Sequence, residues 1–258
     1  MDKKLMMNVS AVMIVKNGAR TIRRTLESLK EFDDVVVYDN GSVDETLNIA
    51  CEYPNVHLIE GNFDGFGTTK NRATSFAKHD WILIIDSDEV VDEELLDALK
   101  TKALDSKTIY IVNFLAFYKE IQIKHCGWNN QKIRRLYNKT VTRFNDNAVH
   151  ENIIDEGMKK EAIEGNMKHY SYMSISDFIV KLDRYSTLFA NDNVGKKSSS
   201  PGKAFFNGLY SFFRTYILKR GFLDGYAGLI IAFSHMATNF YKYIKLYEMN
   251  LEQKGKRG

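Results

Sequence analysis

An apolar run, Trp81 to Ile85, leads directly into Asp86-Ser87-Asp88-Glu89, three carboxylates within four positions. Carboxylates this close repel one another unless water, a cation or a basic side chain neutralises them. Something positive therefore belongs beside this stretch. Asp86 and Asp88 stand two apart, which at an extended strand tip turns both side chains to one side, able to hold a hard divalent cation directly or through water. Mg²⁺ or Mn²⁺ held there would bridge to a diphosphate and offset charge on a departing nucleoside diphosphate. The competing reading is an acidic turn that caps the next helix, a role suited to Asp92, Glu93 and Glu94.

The elements that must position such a tip are legible in the hydrophobic pattern. Val9 to Val15, Val35 to Tyr38, Val56 to Ile59 and Trp81 to Ile85 are short apolar runs rich in β-branched residues, as expected of strands buried on both faces of a parallel sheet. Helical patterns separate them: Ile22, Leu26 and Leu29 recur at helical spacing, Ser42 with Glu45 forms a capping box, and Thr68 to Ala77 contains no breaker. This βαβαβαβ alternation implies an α/β fold with an open doubly wound sheet, whose ligands sit beyond the carboxyl ends of the strands. Asp39 and Asp86 both fall at such ends. After a helix from Asp92 to Leu104, extended segments (TIYIVNFLAFYKE, KIRRLYN, VTRF, AVHENI) suggest a smaller mixed β region, and Ser176 to Ala190 returns to helix with Phe178, Ile179, Leu182, Tyr185 and Phe189 on one face. NVGKKSSSPGK reads as a loop.

Composition bounds the rest. The 258 residues can bury a sizeable core, and a formal charge of +3 is too small to argue for nucleic acid. Two cysteines, Cys51 and Cys126, make no disulfide framework and read as small core residues in a reducing compartment. The opening lysines and apolar run are too short and interrupted for a signal peptide and read as a first strand. From Ala204 to Leu251 the chain is aromatic and basic, patterned as two helices broken near KRGFLDG; its longest run without a formal charge, Tyr226 to Tyr241, is short and polar for a bilayer span. Such helices either lie on an anionic membrane surface or pack on the main domain with solvated lysines.

SAVMIVKNGARTIRRTLESL, DDVVVYDNGSVDET and TKNRATSFAKHDWILIIDSDEV resemble, in order and spacing, the nucleotide-binding half of family 2 glycosyltransferases. The resemblance implies a GT-A type, Rossmann-like mixed sheet flanked by helices, with residues 1–105 as the nucleotide-binding half, 106–195 as the acceptor side and 196–258 as a helical extension. It implies a UDP-sugar donor with Mg²⁺ or Mn²⁺: Lys16 and Asn17 at the lip of the nucleotide pocket, Asp39 on the uracil, Asp86 and Asp88 on ribose and metal-bound diphosphate, and Lys70 and Arg72 as base or phosphate contacts. HCGWNNQKIRRLYNKTVTRFNDNAVHENI and YILKRGFLDGYAGLIIA are similar to the branch that includes lipopolysaccharide inner-core β-1,4-glucosyltransferases, which extends the resemblance over nearly the whole chain. That branch implies a glycolipid or core-oligosaccharide acceptor, and a peripheral place on the cytoplasmic face of a bacterial inner membrane.

Inverting transfer needs a base for the acceptor hydroxyl, and a carboxylate suits the task. Glu151 is the candidate, with Asp146 in reserve. The commonest family pattern has a Glu-Asp pair where this chain has His150-Glu151. His150 either ligates the metal, orients Glu151 or packs; strand alternation turns it away from Glu151. Trp128 offers a face for a sugar ring, and Arg134 and Arg135 offer phosphate contacts, alternation admitting one of the two. His169 reads as a partly buried histidine rather than a metal ligand. DSDEV also fits haloacid dehalogenase-type phosphatases, although there the motif follows a first strand and here a fourth; a silent nucleotide- or membrane-binding protein is the third reading.

Overall fold

The structure is a computed structural model and describes residues 8–129, 131–146 and 151–255. The chain divides into two compact units: Met1–Leu115 with Asn130–Tyr170, and Ala116–Asn129 with Ser171–Gly258.

In the first unit the four expected strands form. β1 (Val9–Val15), β2 (Val35–Asp39), β3 (Val56–Glu60) and β4 (Trp81–Ile84) lie parallel, separated by α1 (Ile22–Ser28), α2 (Thr46–Cys51) and α3 (Phe66–Ser75). Alternate residues serve opposite faces. Val9, Ala11, Met13, Val35, Val37 and Leu83 face one core with Ile22 and Leu26 of α1 and Ile49 of α2, while Val12, Val36, Ile82 and Ile84 face another with Ala73 of α3. Both faces are covered, which is why these strands read as continuous apolar runs. β3 is the exception: it is the edge strand and only half-buried.

Beyond β4 come β5 (Glu89–Val91), α4 (Glu93–Thr101), β6 (Thr108–Tyr118), β7 (Ile121–Gln122), β8 (Gln131–Asn138) and β9 (Lys159–Tyr172). The sheet order is β3-β2-β1-β4-β8-β6-β9-β5, with β7 beside β6. β8 is antiparallel to β4 and to β6, and β5 to β9, so the sheet is mixed.

Several expectations need correction. β9 was not expected as a strand: KKEAIEGNMKHYSY carries charge through its first half, and its pairing energy comes from β5 and β6 rather than its own composition. Residues 141–144 form no strand; Phe144 contributes an isolated bridge to Ile153. Ser42 does not cap α2. Its hydroxyl bonds Asp39 instead, and Glu45 occupies the cap without a side-chain bond. Asp92 does cap α4, accepting from Leu95 N at 2.9 Å. Cys51 is exposed and Cys126 buried.

The second unit contains β7, α5 (Ile175–Asn193), α6 (Pro201–Phe213), a π-helical turn (Arg214–Leu218), a 3₁₀ turn (Gly221–Asp224) and α7 (Gly225–Gly255). The break near KRGFLDG falls where expected. Both α5 and α6 pack on α7, and α5 groups with the C-terminal helices in the second unit. On α5 the buried stripe is Phe178, Ser186 and Ala190; Ile179 and Tyr185, read on one face with Phe178, point outward instead. Among the described residues no helix is long and apolar enough to cross a membrane.

Candidate active site

The acidic run is a closed turn. Glu89 N donates to Asp86 O at 3.0 Å, and the Glu89 carboxylate turns back to accept from Asp86 N at 2.8 Å. Glu89 is fully buried and pairs with Arg135, whose guanidinium also reaches Asp86 at 3.1 Å. The positive partner demanded by the sequence is thus in part a side chain. Burial, reinforced by Asp86 and Asp88 and opposed by Arg135, pushes the Glu89 carboxyl well above the usual range. For Asp86, 41% exposed, partial burial also works upward, but Arg135 and then Lys70 prevail and hold it below that range.

Arg135 reaches the turn because β8 is irregular. Leu136 lies opposite Tyr110 of β6, while Arg134 lies opposite the next residue, Ile111, so Arg135 is the extra residue of a β-bulge. A bulge breaks alternation. Arg134 and Arg135, expected on opposite faces, both line one cleft of about 390 Å³ with Lys70, Asp86, Lys132 and Glu151. Arg134 also pairs with Asp155 at 2.9 Å. The Nε of buried Arg135 has no hydrogen-bond partner among the described residues.

α3 organises the opposite wall. Asn71 clamps Phe144 by two bonds of 2.9 Å, one to its carbonyl and one from its N–H. Phe144 then bridges to Ile153, and Asn145 N donates to Asn152 O at 2.9 Å, which brings Glu151 back toward α3. There Lys70 donates to Glu151 at 2.6 Å, both side chains largely buried. The reserve base, Asp146, is 62% exposed and paired with Arg143. His150 lies outside the described residues.

The carboxyl ends of β1 and β2 carry the remaining nucleotide-side candidates. Asp39 is fully buried and accepts from Gly41 N and Ser42 N, each at 2.8 Å, and from the Ser42 hydroxyl. Asn17, at φ 55°, accepts from Val43 N at 2.9 Å and ties this loop to the next. Gly18 follows because a Cβ there would stand 2.7 Å from Val15 and 3.0 Å from the Ser87 hydroxyl, linking the loop to the Asp86 turn. Lys16 is exposed. Arg72 pairs with Asp64 at 2.5 Å and reaches the Tyr38 hydroxyl at 3.4 Å.

A model of the family described as Glycosyl transferase family 2 matches residues 10–164, more than half of the chain. The chain belongs to glycosyl transferase family 2. An uncharacterised glycosyltransferase of Rickettsia felis is 30% identical over 96% of this chain and 93% of its own. The lipopolysaccharide core biosynthesis glycosyltransferase LpsC of Rhizobium meliloti is 26% identical over 93% and 92%. S. aureus TarS 1–349 in complex with UDP is similar at 15% identity and a TM-score of 0.46, covering 96% of this chain and 91% of that one.

In this family 2 chain, Lys70, Asp86, Arg134, Arg135 and Glu151 share one cleft. Sequence reasoning missed Lys132 and Asn71; Asn71 sits between two residues already singled out, and only the returning loop reveals its role. Asp88 is not among the residues lining that cleft; it lies 3.3 Å from His169 Nε2, because β5 sets Glu89 opposite His169. Trp128 belongs to the second unit and stacks on Tyr172 at 5.3 Å, so that ring face is taken. The described residues contain no group of three or more His, Cys, Asp or Glu arranged around a metal. Mg²⁺ usually needs only one or two carboxylates besides substrate phosphates and water. Asp86, partly exposed on the cleft, offers one such carboxylate, and partly exposed Asp88 is the second candidate.

Proposed function

We propose that this glycosyltransferase moves a hexose, glucose first, from a UDP-sugar to a sugar hydroxyl of a lipopolysaccharide core or similar glycolipid, with inversion. The observation that carries the reading is the cleft's charge: Lys70, Lys132, Arg134 and Arg135 against Asp86 and Glu151, the four cations complementing a diphosphate. The likeness to LpsC supports the acceptor class. Arg135 and Lys70 bind and orient the phosphates, and Asp39 with the Asn17 loop serves the uridine. Asp86 and Asp88 would hold Mg²⁺ or Mn²⁺, which when bound supplies charge for the leaving diphosphate. Glu151, held by Lys70, accepts the proton of the acceptor hydroxyl as the new bond to the sugar carbon forms and the bond to UDP breaks.

The test is calorimetric titration of UDP with Mn²⁺, without it, and with Asp88→Ala. Binding that depends on the metal and is lost in the variant supports the donor site and justifies turnover assays with UDP-glucose. No binding by folded wild-type protein at saturating UDP would overturn the donor assignment.

A further inference from the structure

We propose that the outward face of α6, with the turns that follow it, docks on an anionic phospholipid surface, the helix lying along the bilayer rather than entering it. α6 is amphipathic the wrong way round for water. Phe205, Phe206, Leu209, Tyr210 and Phe213 recur at helical spacing and point outward, Phe206 68% and Tyr210 59% exposed. The side facing α7 carries Ala204 and Gly208, the latter so close that a Cβ would stand 3.1 Å from Met236 O and 3.3 Å from Phe240. A soluble helix places these residue types in the opposite sense. Ile217, Leu218, Phe222 and Leu223, each 45–58% exposed, prolong the apolar surface past the helix. A contiguous patch of this kind marks an interaction site.

Charge selects the occupant. From residue 194 to 223 the chain contains no acid and six bases, Lys196, Lys197, Lys203, Arg214, Lys219 and Arg220, five of them exposed. A second copy joined through the same face would set these cations against their own equivalents. Anionic headgroups instead complement them, with Phe and Tyr rings at the headgroup boundary and long basic side chains reaching the phosphates. The 13 residues of α6 lay about 20 Å of apolar stripe along such a surface.

The test is co-sedimentation of the full chain with phosphatidylcholine vesicles and with vesicles also containing phosphatidylglycerol. Wild type should pellet with the phosphatidylglycerol vesicles and be released by added salt. Phe205→Ser with Phe206→Ser should weaken partitioning about tenfold or more, with unchanged thermal melting because both rings are exposed. Arg214→Gln with Arg220→Gln should weaken it and flatten its salt dependence. Failure of wild type to bind phosphatidylglycerol vesicles, or undiminished binding by the Phe205→Ser/Phe206→Ser protein, overturns the proposal. So does a wild-type dimer in analytical ultracentrifugation that this variant converts to monomer, since the face would then belong to a second copy. Retained UDP binding by the same variant separates this surface from the donor site.

Discussion

Residues at the strand ends stood out openly in the sequence, because an acid after a buried apolar run has few structural reasons to be there. Their partners did not. Arg135 neutralises Asp86 and Glu89 across 49 and 46 residues of chain, and nothing local marks it out from Arg134. Removing one member of a buried pair leaves the other uncompensated, so Arg135→Met should destabilise the protein by about 3–5 kcal/mol in urea unfolding. Arg135→Met with Glu89→Gln should recover part of that loss. At Glu151, Glu151→Gln preserves an acceptor for Lys70 but not a base. It should lower turnover on the order of 10²–10⁴-fold while leaving UDP affinity in calorimetry unchanged; an active Glu151→Gln protein would move the base elsewhere.

Among the elements, those with strong continuous-apolar or helical patterns were legible to within a residue or two, as β1, β2 and the α6–α7 break illustrate. β9 was not, since its stability comes from two neighbours. Its middle is held close to α4: Gly165 sits at φ +88°, and a Cβ there would lie 2.1 Å from Leu95 N. Gly165→Ala should therefore cost about 1–3 kcal/mol or more, read as a lowered melting temperature. A second sensitive group lies on α7 against the turn that follows α6. His235 accepts or donates at Thr215 across 2.9 Å, and burial, helped by Lys219, Lys242 and Arg214, lowers its pKa from 6.5 to about 4. Between those values the unfolded chain binds a proton that folded His235 refuses, so its contribution to stability falls as pH falls. His235→Gln should make the loss of stability from pH 6.5 to about 4 shallower than in wild type; an unchanged slope would mean that His235 takes up its proton without cost.

For the whole molecule, β6 (Thr108–Tyr118) and β9 (Lys159–Tyr172) each begin in the first unit and end in the second. Continuous strands couple unfolding. One tryptophan lies in each unit, Trp81 and Trp128, so Trp81→Phe and Trp128→Phe proteins report on the units separately. Their denaturation midpoints by fluorescence should coincide with the midpoint by circular dichroism, and two distinct midpoints would show independent units. By itself the sequence determined the parallel half of the sheet, the placing of Asp39 and Asp86 at strand ends, and the helical character of the C-terminal region. Each of these follows from periodicity within a short window. Only the tertiary structure decided that a bulge turns Arg135 onto the acidic turn, that Asn71 draws Glu151 to Lys70, and that α6 buries its small residues and exposes its large ones. Those outcomes depend on which distant segment packs against which face, and local spacing holds no record of that choice.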